Sequence, residues 1–322
     1  MSNIEWTEAT WNPIVGCSVV SPGCTNCYAM TMAARLESMG TLPQYAGTTQ
    51  KAKGGPVWTG KLALAPEATL LAPLNRRKPT VYFVNSMGDL FHEGVPDAWI
   101  DRVFAVMALA PQHTYQVLTK RSARMLAYMT DPATMGRVAE QAARTAPVGR
   151  DISECGLIFA PGSPTGYQLD PWPLRNVWLG VSAEDQRRAD ERIPDLLATP
   201  AAIRFVSAEP LLGAIRFRGT SEDRKLCWDW LSGETGTMHP DGPDFDQGPK
   251  LDWVIVGGES GACARPMEDA WADRIVEQCS AAGTAVFVKQ MGGPVKARMR
   301  PIPEHLQVRQ FPFARRNIDA EG

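Results

Sequence analysis

NVWLGVSAEDQRRADERIPDLLATPAAIRFVS, residues 176–207, decides how the fold is read. It opens and closes on short β-rich runs, Asn176 to Ser182 and Ala202 to Ser207, each nearly continuously apolar rather than alternating. That is how a parallel strand buried on both faces reads. Between them lies a charged helical stretch that Ser182 and Asp185 are placed to cap, running through Glu191 with a break expected at Pro194. The same strand-then-helix rhythm recurs along the chain. TVYFVN (Thr80 to Asn85), TYQVLTK (Thr114 to Lys120), DWVIVGG (Asp252 to Gly258) and AVFVKQ (Ala285 to Gln290) read as further strands. An earlier strand is expected around Pro13 to Gly16, ahead of a first helix from Asn26 to Met39. Trp99, Ile100, Val103, Phe104 and Met107 make one apolar helical stripe that Pro111 ends. Trp271, Ile275, Val276 and Cys279 make another, with Gly283 placed as its C-terminal cap.

Six or seven such units in series predict an α/β fold, a partial (β/α)6–7 TIM-like barrel with inserted loops, with a doubly wound open sheet as the alternative. Two segments break the rhythm. Residues 131–175 read as an insertion, helical from Thr134 to Arg144 and then rich in Gly and Pro. Residues 219–250 hold seven acids against three bases and read as a solvated loop or lid. The expected organisation is a single barrel over residues 1–295 and a basic tail over 296–322. Lys296, Arg298, Arg300, Arg309, Arg315 and Arg316 could meet phosphates there, although an exposed solubilising tail is the simpler reading.

The chain has 322 residues, 44% hydrophobic and 21% charged, which excludes a disordered, collagen-like or disulfide-miniprotein class. Lys and Arg number 33 against 35 Asp and Glu, a net charge of −2, so no global basic field recruits nucleic acid. The opening MSNIEWTEATW lacks the basic and apolar regions of a signal peptide, and no stretch approaches the about 18 apolar residues of a membrane span. The expectation is a cytoplasmic protein with no membrane partner, whose seven cysteines are thiols or metal ligands.

Three of those cysteines fall within eleven residues. GCSVVSPGCTNCYA, residues 16–29, sets Cys17, Cys24 and Cys27 in a C-x6-C-x2-C pattern on a Gly/Pro/Ser/Asn-rich loop. A flexible loop lets three thiolates converge on one centre, because no regular element presents that spacing to a point. Structural zinc needs four ligands, yet His92, His113, His239 and His305 are dispersed and Cys155, Cys227, Cys263 and Cys279 stand singly. Three ligands without an evident fourth suit a 4Fe-4S cluster with one open iron. Zinc, or simply buried thiols, remain the alternatives.

IEWTEATWNPIVGCSVVSPGCTNCYA, FVNSMGDLFHEGVPDAWI, QVLTKRSARM, RFVSAEPLLG, WVIVGGESGACARPM and FVKQMGG, together with residues 176–201, resemble an uncharacterised phage and prophage family, the three-cysteine-motif proteins. The resemblance covers nearly the whole chain outside the two insertions. That family in turn is similar to a divergent branch of the radical S-adenosylmethionine (radical SAM) enzymes. The resemblance implies a partial (β/α)6 barrel, loop cysteines that ligate the cluster, and S-adenosylmethionine (SAM) on the open iron through its amino and carboxylate groups. It further implies reductive cleavage to a 5′-deoxyadenosyl radical, which requires an external electron donor. Two departures stand out: the usual spacing is C-x3-C-x2-C, and the aromatic that usually precedes the third cysteine here follows it, as Tyr28. A GGE string usually follows the second strand, whereas here the second strand ends in VNSMGDLF and GGES follows the sixth.

In parallel α/β folds ligands sit at the C-terminal ends of the strands. Polar residues collect there: Asn85, Ser86 and Asp89; Thr119, Lys120 and Arg121; Ser182, Glu184 and Asp185; Ser207 and Glu209; Glu259 and Ser260; Lys289 and Gln290. As a set they are expected to outline one pocket. Glu209, Glu259, Lys120 and Lys289 are the candidate catalytic groups, the carboxylates accepting from an amine or hydroxyl and the lysines neutralising an anion. Asn85, Ser86, Asp89, Ser182, Gly257 and Gly258 are candidates for holding the cofactor, the glycines by letting backbone amides approach it. Trp6, Trp11 and Tyr28 read as core, with stacking on an adenine or shielding of the cluster as the rival role. The substrate class left open is nucleic acid, nucleotide or peptide. Two other functions compete: a non-catalytic metal-binding interaction module, and a barrel hydrolase or nuclease with Asp89, Glu209 and Glu259 around a divalent ion.

Overall fold

The structure is a computed structural model that describes residues 4–147, 153–221, 226–239, 242–294 and 298–312. The apolar runs form one seven-stranded sheet: β1 (Ala9–Trp11), β2 (Val81–Val84), β3 (Thr114–Thr119), β4 (Val177–Ser182), β5 (Ile203–Ala208), β6 (Trp253–Gly257) and β7 (Ala285–Gln290). Every residue of β2, β4 and β6 is buried, the two-sided burial that their unbroken hydrophobicity implies. The ladders β1–β2, β2–β3, β5–β6 and β6–β7 are parallel.

The strand order is the chain order, β1 through β7. A doubly wound sheet starts in its middle and reverses direction, so its first strand is internal. Here each strand is laid beside its predecessor, the progression of a barrel, and β1 and β7 remain as edges. The fold is α/β with an open, seven-stranded parallel sheet.

The first strand differs from expectation. It is Ala9–Trp11, while Ile14–Val15 leaves the sheet and pairs antiparallel with Ala63–Leu64. Pro13, which has no amide to give a ladder, stands between the two. Trp6 and Trp11 are 2% and 3% exposed and belong to the core; Trp11 Nε1 donates to Thr69 O at 2.9 Å.

The helices are α1 (Tyr28–Ser38), α2 (Asp97–Leu109), α3 (Ser122–Thr130), α4 (Thr134–Thr145), α5 (Gln186–Ala198) and α6 (Asp269–Ala282). Gly283 caps α6 in the left-handed region at φ 70°. Asp185 caps α5, its carboxylate accepting from the Arg188 amide at 2.9 Å, while the Ser182 hydroxyl donates to Glu209 O at 3.1 Å. The break expected at Pro194 does not occur. The helix runs through it to Ala198, held by the buried side chains of Ala189, Arg192, Ile193 and Leu196, so tertiary burial outweighs the missing amide. Among the described residues no helix is long and apolar enough to cross a membrane.

Two compact units divide the chain. The first comprises Met1–Leu179 and Thr199–Ala202, and holds β1–β3, α1–α4 and the 131–175 insertion. That insertion is α4 followed by a hairpin, Leu157–Phe159 with Tyr167–Leu169. The second unit comprises Gly180–Ala198 and Ile203–Gly322. In it, the segment expected as a loop or lid is a four-stranded antiparallel sheet of Arg218–Thr220, Leu226–Asp229, Glu234–His239 and Gly242–Gln247. Its charges mask an ordered ribbon: Trp228 and Trp230 stack at 6.3 Å, and Asp229 Oδ1 takes the amides of Leu231 and Ser232 to form a turn. Trp230 closes the base of this module, its amide donating to Phe217 O at 2.9 Å and its carbonyl accepting from Leu251 N at 2.8 Å. The basic segment beyond β7 is not a free tail throughout, since Val288 N donates to Val308 O and Gln310 N to Val286 O. Arg309 lies over the Phe287 ring and Arg300 pairs with Asp269, whereas Lys296, Arg315 and Arg316 lie outside the described residues.

One glycine fixes the approach to the cysteine loop. Gly16 has φ +92°, and a Cβ there would lie 2.0 Å from Lys61 O, while its amide donates to Met87 O at 3.1 Å. Gly16→Ala is therefore expected to lower unfolding stability by about 2 kcal/mol or more, read as a reduced urea midpoint at unchanged slope.

Candidate functional site

The three cysteines lie on the loop that follows β1 and Ile14–Val15. Cys17 comes directly after Gly16, Cys24 ends a single 3₁₀ turn (Pro22–Cys24), and Cys27 is the residue from which α1 starts. Proline at the first position of that turn and the Cys24 amide bonded to Ser21 O at 2.9 Å explain why the chain coils here. Cys17 and Cys27 pack against one core cluster of Val15, Ala29, Met30, Ala33, Tyr45, Trp58 and Met87. All three are free thiols. Burial pushes the Cys17 thiol up to about 12, with Asp89 adding to the shift and Arg121 opposing it. Burial also raises Cys27, against the Ala29 amide and the Lys120 charge. Among the described residues no three His, Cys, Asp or Glu side chains are placed to hold a metal ion.

Arg121 is the centre of the site, with a side chain 4% exposed. Its Nη1 donates to Asp89 Oδ2 at 3.0 Å and to Cys17 Sγ at 3.4 Å. Its Nη2 donates to Ser18 O at 3.1 Å and Ser18 Oγ at 2.9 Å, and Nε reaches Glu93 at 3.4 Å. Asp89 answers with a full set of donors: Thr119 Oγ1 at 2.6 Å, Phe91 N at 3.1 Å and Lys120 N at 3.0 Å besides Arg121. These four donors fix Asp89 in place beside the arginine.

His92 completes the network. Its Nδ1 accepts from the Gly94 amide at 3.0 Å, so the ring proton resides on Nε2, 2.8 Å from Ser18 Oγ. Burial lowers its pKa, and Arg121 adds to the shift. A neutral His92 that donates to Ser18 cannot also take the serine's proton, so this pair is not a nucleophile and base.

Of the other expected residues in the first unit, Ser86 Oγ donates to Asn12 Oδ1 at 3.1 Å, and Tyr28 OH donates to Ser86 O at 3.0 Å. Asn85 ends β2 in the left-handed region, φ 59°, with its Oδ1 taking the Ile14 amide at 3.3 Å. It is 3% exposed, and its Nδ2 has no partner among the described residues. Asn tolerates that conformation, and the Nδ2 is a buried donor left unmet beside the segment that leads into Cys17.

In the second unit the candidate carboxylates are all paired. Glu209 is bonded to Lys289, and Glu259 takes Arg265 through Nε at 2.9 Å and Nη2 at 2.5 Å. Glu184, fully buried, meets Arg192 at 3.0 Å. A Cβ on Gly258 would lie 2.5 Å from Met291, and the Gly258 amide donates to Gln290 O at 2.8 Å; a Cβ on Gly257 would lie 3.0 Å from the Glu209 carboxyl carbon. Close packing, rather than an open cradle, requires these two glycines. Asp89, Glu209 and Glu259, the carboxylates expected of a hydrolase, are each paired with a cation: Arg121, Lys289 and Arg265 respectively.

A family model described as "Protein of unknown function (DUF5131)" matches residues 1–317. The chain belongs to this family. No curated protein and no solved structure matches it. In this DUF5131 chain, Arg121 is marked in the sequence by its place two residues beyond the end of β3, whereas the Ser18–His92 contact, 74 residues apart, has no local mark.

Asp89→Asn leaves a buried guanidinium short of its closest countercharge. It is expected to cost about 3 kcal/mol in urea unfolding, while Glu93→Gln, at a side chain 64% exposed, should change stability by less than about 1 kcal/mol.

Proposed function

We propose that the protein is an iron–sulfur enzyme of the radical SAM type, with Cys17, Cys24 and Cys27 holding a 4Fe-4S cluster and SAM bound at the open iron. The observation that carries this reading is where the thiols stand. All three lie on the loop after the first strand of a parallel sheet laid down in chain order, beside the C-terminal ends of β2 and β3.

The residues present fit such a group. The fit is one of donor chemistry: three free thiols come from one loop, the set that a 4Fe-4S cluster with one open iron takes. The unpartnered Asn85 Nδ2 offers a donor beside the segment that leads into Cys17. When bound, the cluster would pass one electron from an external donor to the sulfonium of SAM, yielding methionine and the 5′-deoxyadenosyl radical.

The chain's own residues have separable tasks. Arg121 holds Cys17 and Ser18 in place; Lys120 puts positive charge near Cys27; Val15, Met30, Ala33, Tyr45 and Trp58 keep water from the inner side of the loop. The substrate is proposed to be a nucleic acid, nucleotide or peptide.

Anaerobic reconstitution with iron and sulfide tests the reading. The expected product has about four irons per chain, a reduced-cluster electron paramagnetic resonance signal that shifts when SAM is added, and no such signal in the Cys17→Ala, Cys24→Ala, Cys27→Ala triple variant. One tightly held zinc and no cluster in the wild-type chain would falsify it.

A further inference from the structure

We infer that the buried Asp89–Arg121 pair sets the reduction potential of the centre on Cys17, Cys24 and Cys27, with Arg121 raising it and Asp89 lowering it. The inference rests on the cluster reading above and concerns how that same site is tuned.

The potential of an iron–sulfur centre follows from its net charge, the hydrogen bonds to its sulfurs and its burial. Cys17 is the ligand on which the first two act here. Arg121 Nη1 donates to Cys17 Sγ at 3.4 Å, bringing both an N–H and a positive charge to that sulfur. Reduction adds one negative charge, which a neighbouring cation stabilises and a neighbouring carboxylate opposes.

The position of the arginine does not depend on any bound group. Its fork is fixed by Asp89 Oδ2, Ser18 O and Ser18 Oγ, and its backbone amide by Thr119 Oγ1 at 2.9 Å. Asp89 is fixed equally firmly by Thr119, Phe91 and Lys120. Both side chains are more than nine-tenths buried, at 4% and 7% exposure, so solvent screens neither charge well. Glu93 touches the same guanidinium from the rim and is 64% exposed, so its influence is the weakest of the three. Arg121 is accordingly a positioning residue, acting through the Cys17 sulfur rather than on substrate.

The test is the midpoint potential of the reconstituted centre, followed by electron paramagnetic resonance in a mediated redox titration, with iron and sulfide per chain as the loading control. Arg121→Gln should shift the midpoint to a more negative value, and Asp89→Asn to a more positive one. Arg121→Lys, which keeps the charge but loses the fork, should fall between wild type and Arg121→Gln. A merely structural role would alter loading or stability and would not move the two neutralising variants in opposite directions. If Arg121→Gln does not fold, the opposite shifts of Arg121→Lys and Asp89→Asn decide the matter. Equal midpoints at equal loading overturn the inference and leave the cluster reading standing. A wild-type chain that takes up no cluster overturns both.

Discussion

A guanidinium removed from water must be met on every side, or the protein would not keep it there. Arg121 is met by a carboxylate, a backbone carbonyl, a hydroxyl and a thiol. Those partners come from two separate stretches of chain, so one side chain at the end of β3 ties the turn after β2 to the cysteine loop. Without it Cys17 and Ser18 would keep the Gly60 amide on Cys17 O, the His92 contact to Ser18 Oγ and the Gly16 amide bond to Met87, but no charged partner. The position of Cys17 therefore follows from an electrostatic requirement, whereas Cys24 and Cys27 are placed by the 3₁₀ turn and the start of α1. A loop rich in Gly, Ser, Pro and Asn has many conformations open to it, and the arginine selects among them.

The second unit handles its charges in the same manner but more locally. Glu184 with Arg192 and Glu259 with Arg265 lie eight and six residues apart, so each pair closes within its own strand-to-helix connection. Glu209 with Lys289 bridges 80 residues instead, between the ends of β5 and β7. All three sit where polar side chains leave a buried sheet, which is why strand ends collect charge whether or not a ligand is bound.

How far the chain could be read depended on which force dominated each segment. Strands β2 to β7 were legible because two-sided burial imposes unbroken apolar runs. Only three residues long, with Thr10 exposed, β1 carries no such run and was placed too late. Residues 219–250 were misread because seven acids drew attention from Trp228 and Trp230, whose packing orders the ribbon. That the three thiols share one loop was legible from spacing alone. Asp89 is legible as a polar strand-end residue, but its bonds to Thr119 and Arg121, across about 30 residues, are not. Pro194 shows the general limit: a local rule yields when Ile193 and Leu196 have a core to fill.

The closed base of the antiparallel module carries an evolutionary consequence. Phe217 and Leu251 are both hydrogen-bonded to Trp230, so the module leaves and re-enters the second unit at nearly one point. Whatever lies beyond that clasp adds little to the entropy of closing it, because loop-closure cost grows only logarithmically with length. The segment between is free to lengthen, shorten or be exchanged among family members while β5 and β6 keep their pairing. It is a cassette, and variation within the family should concentrate there.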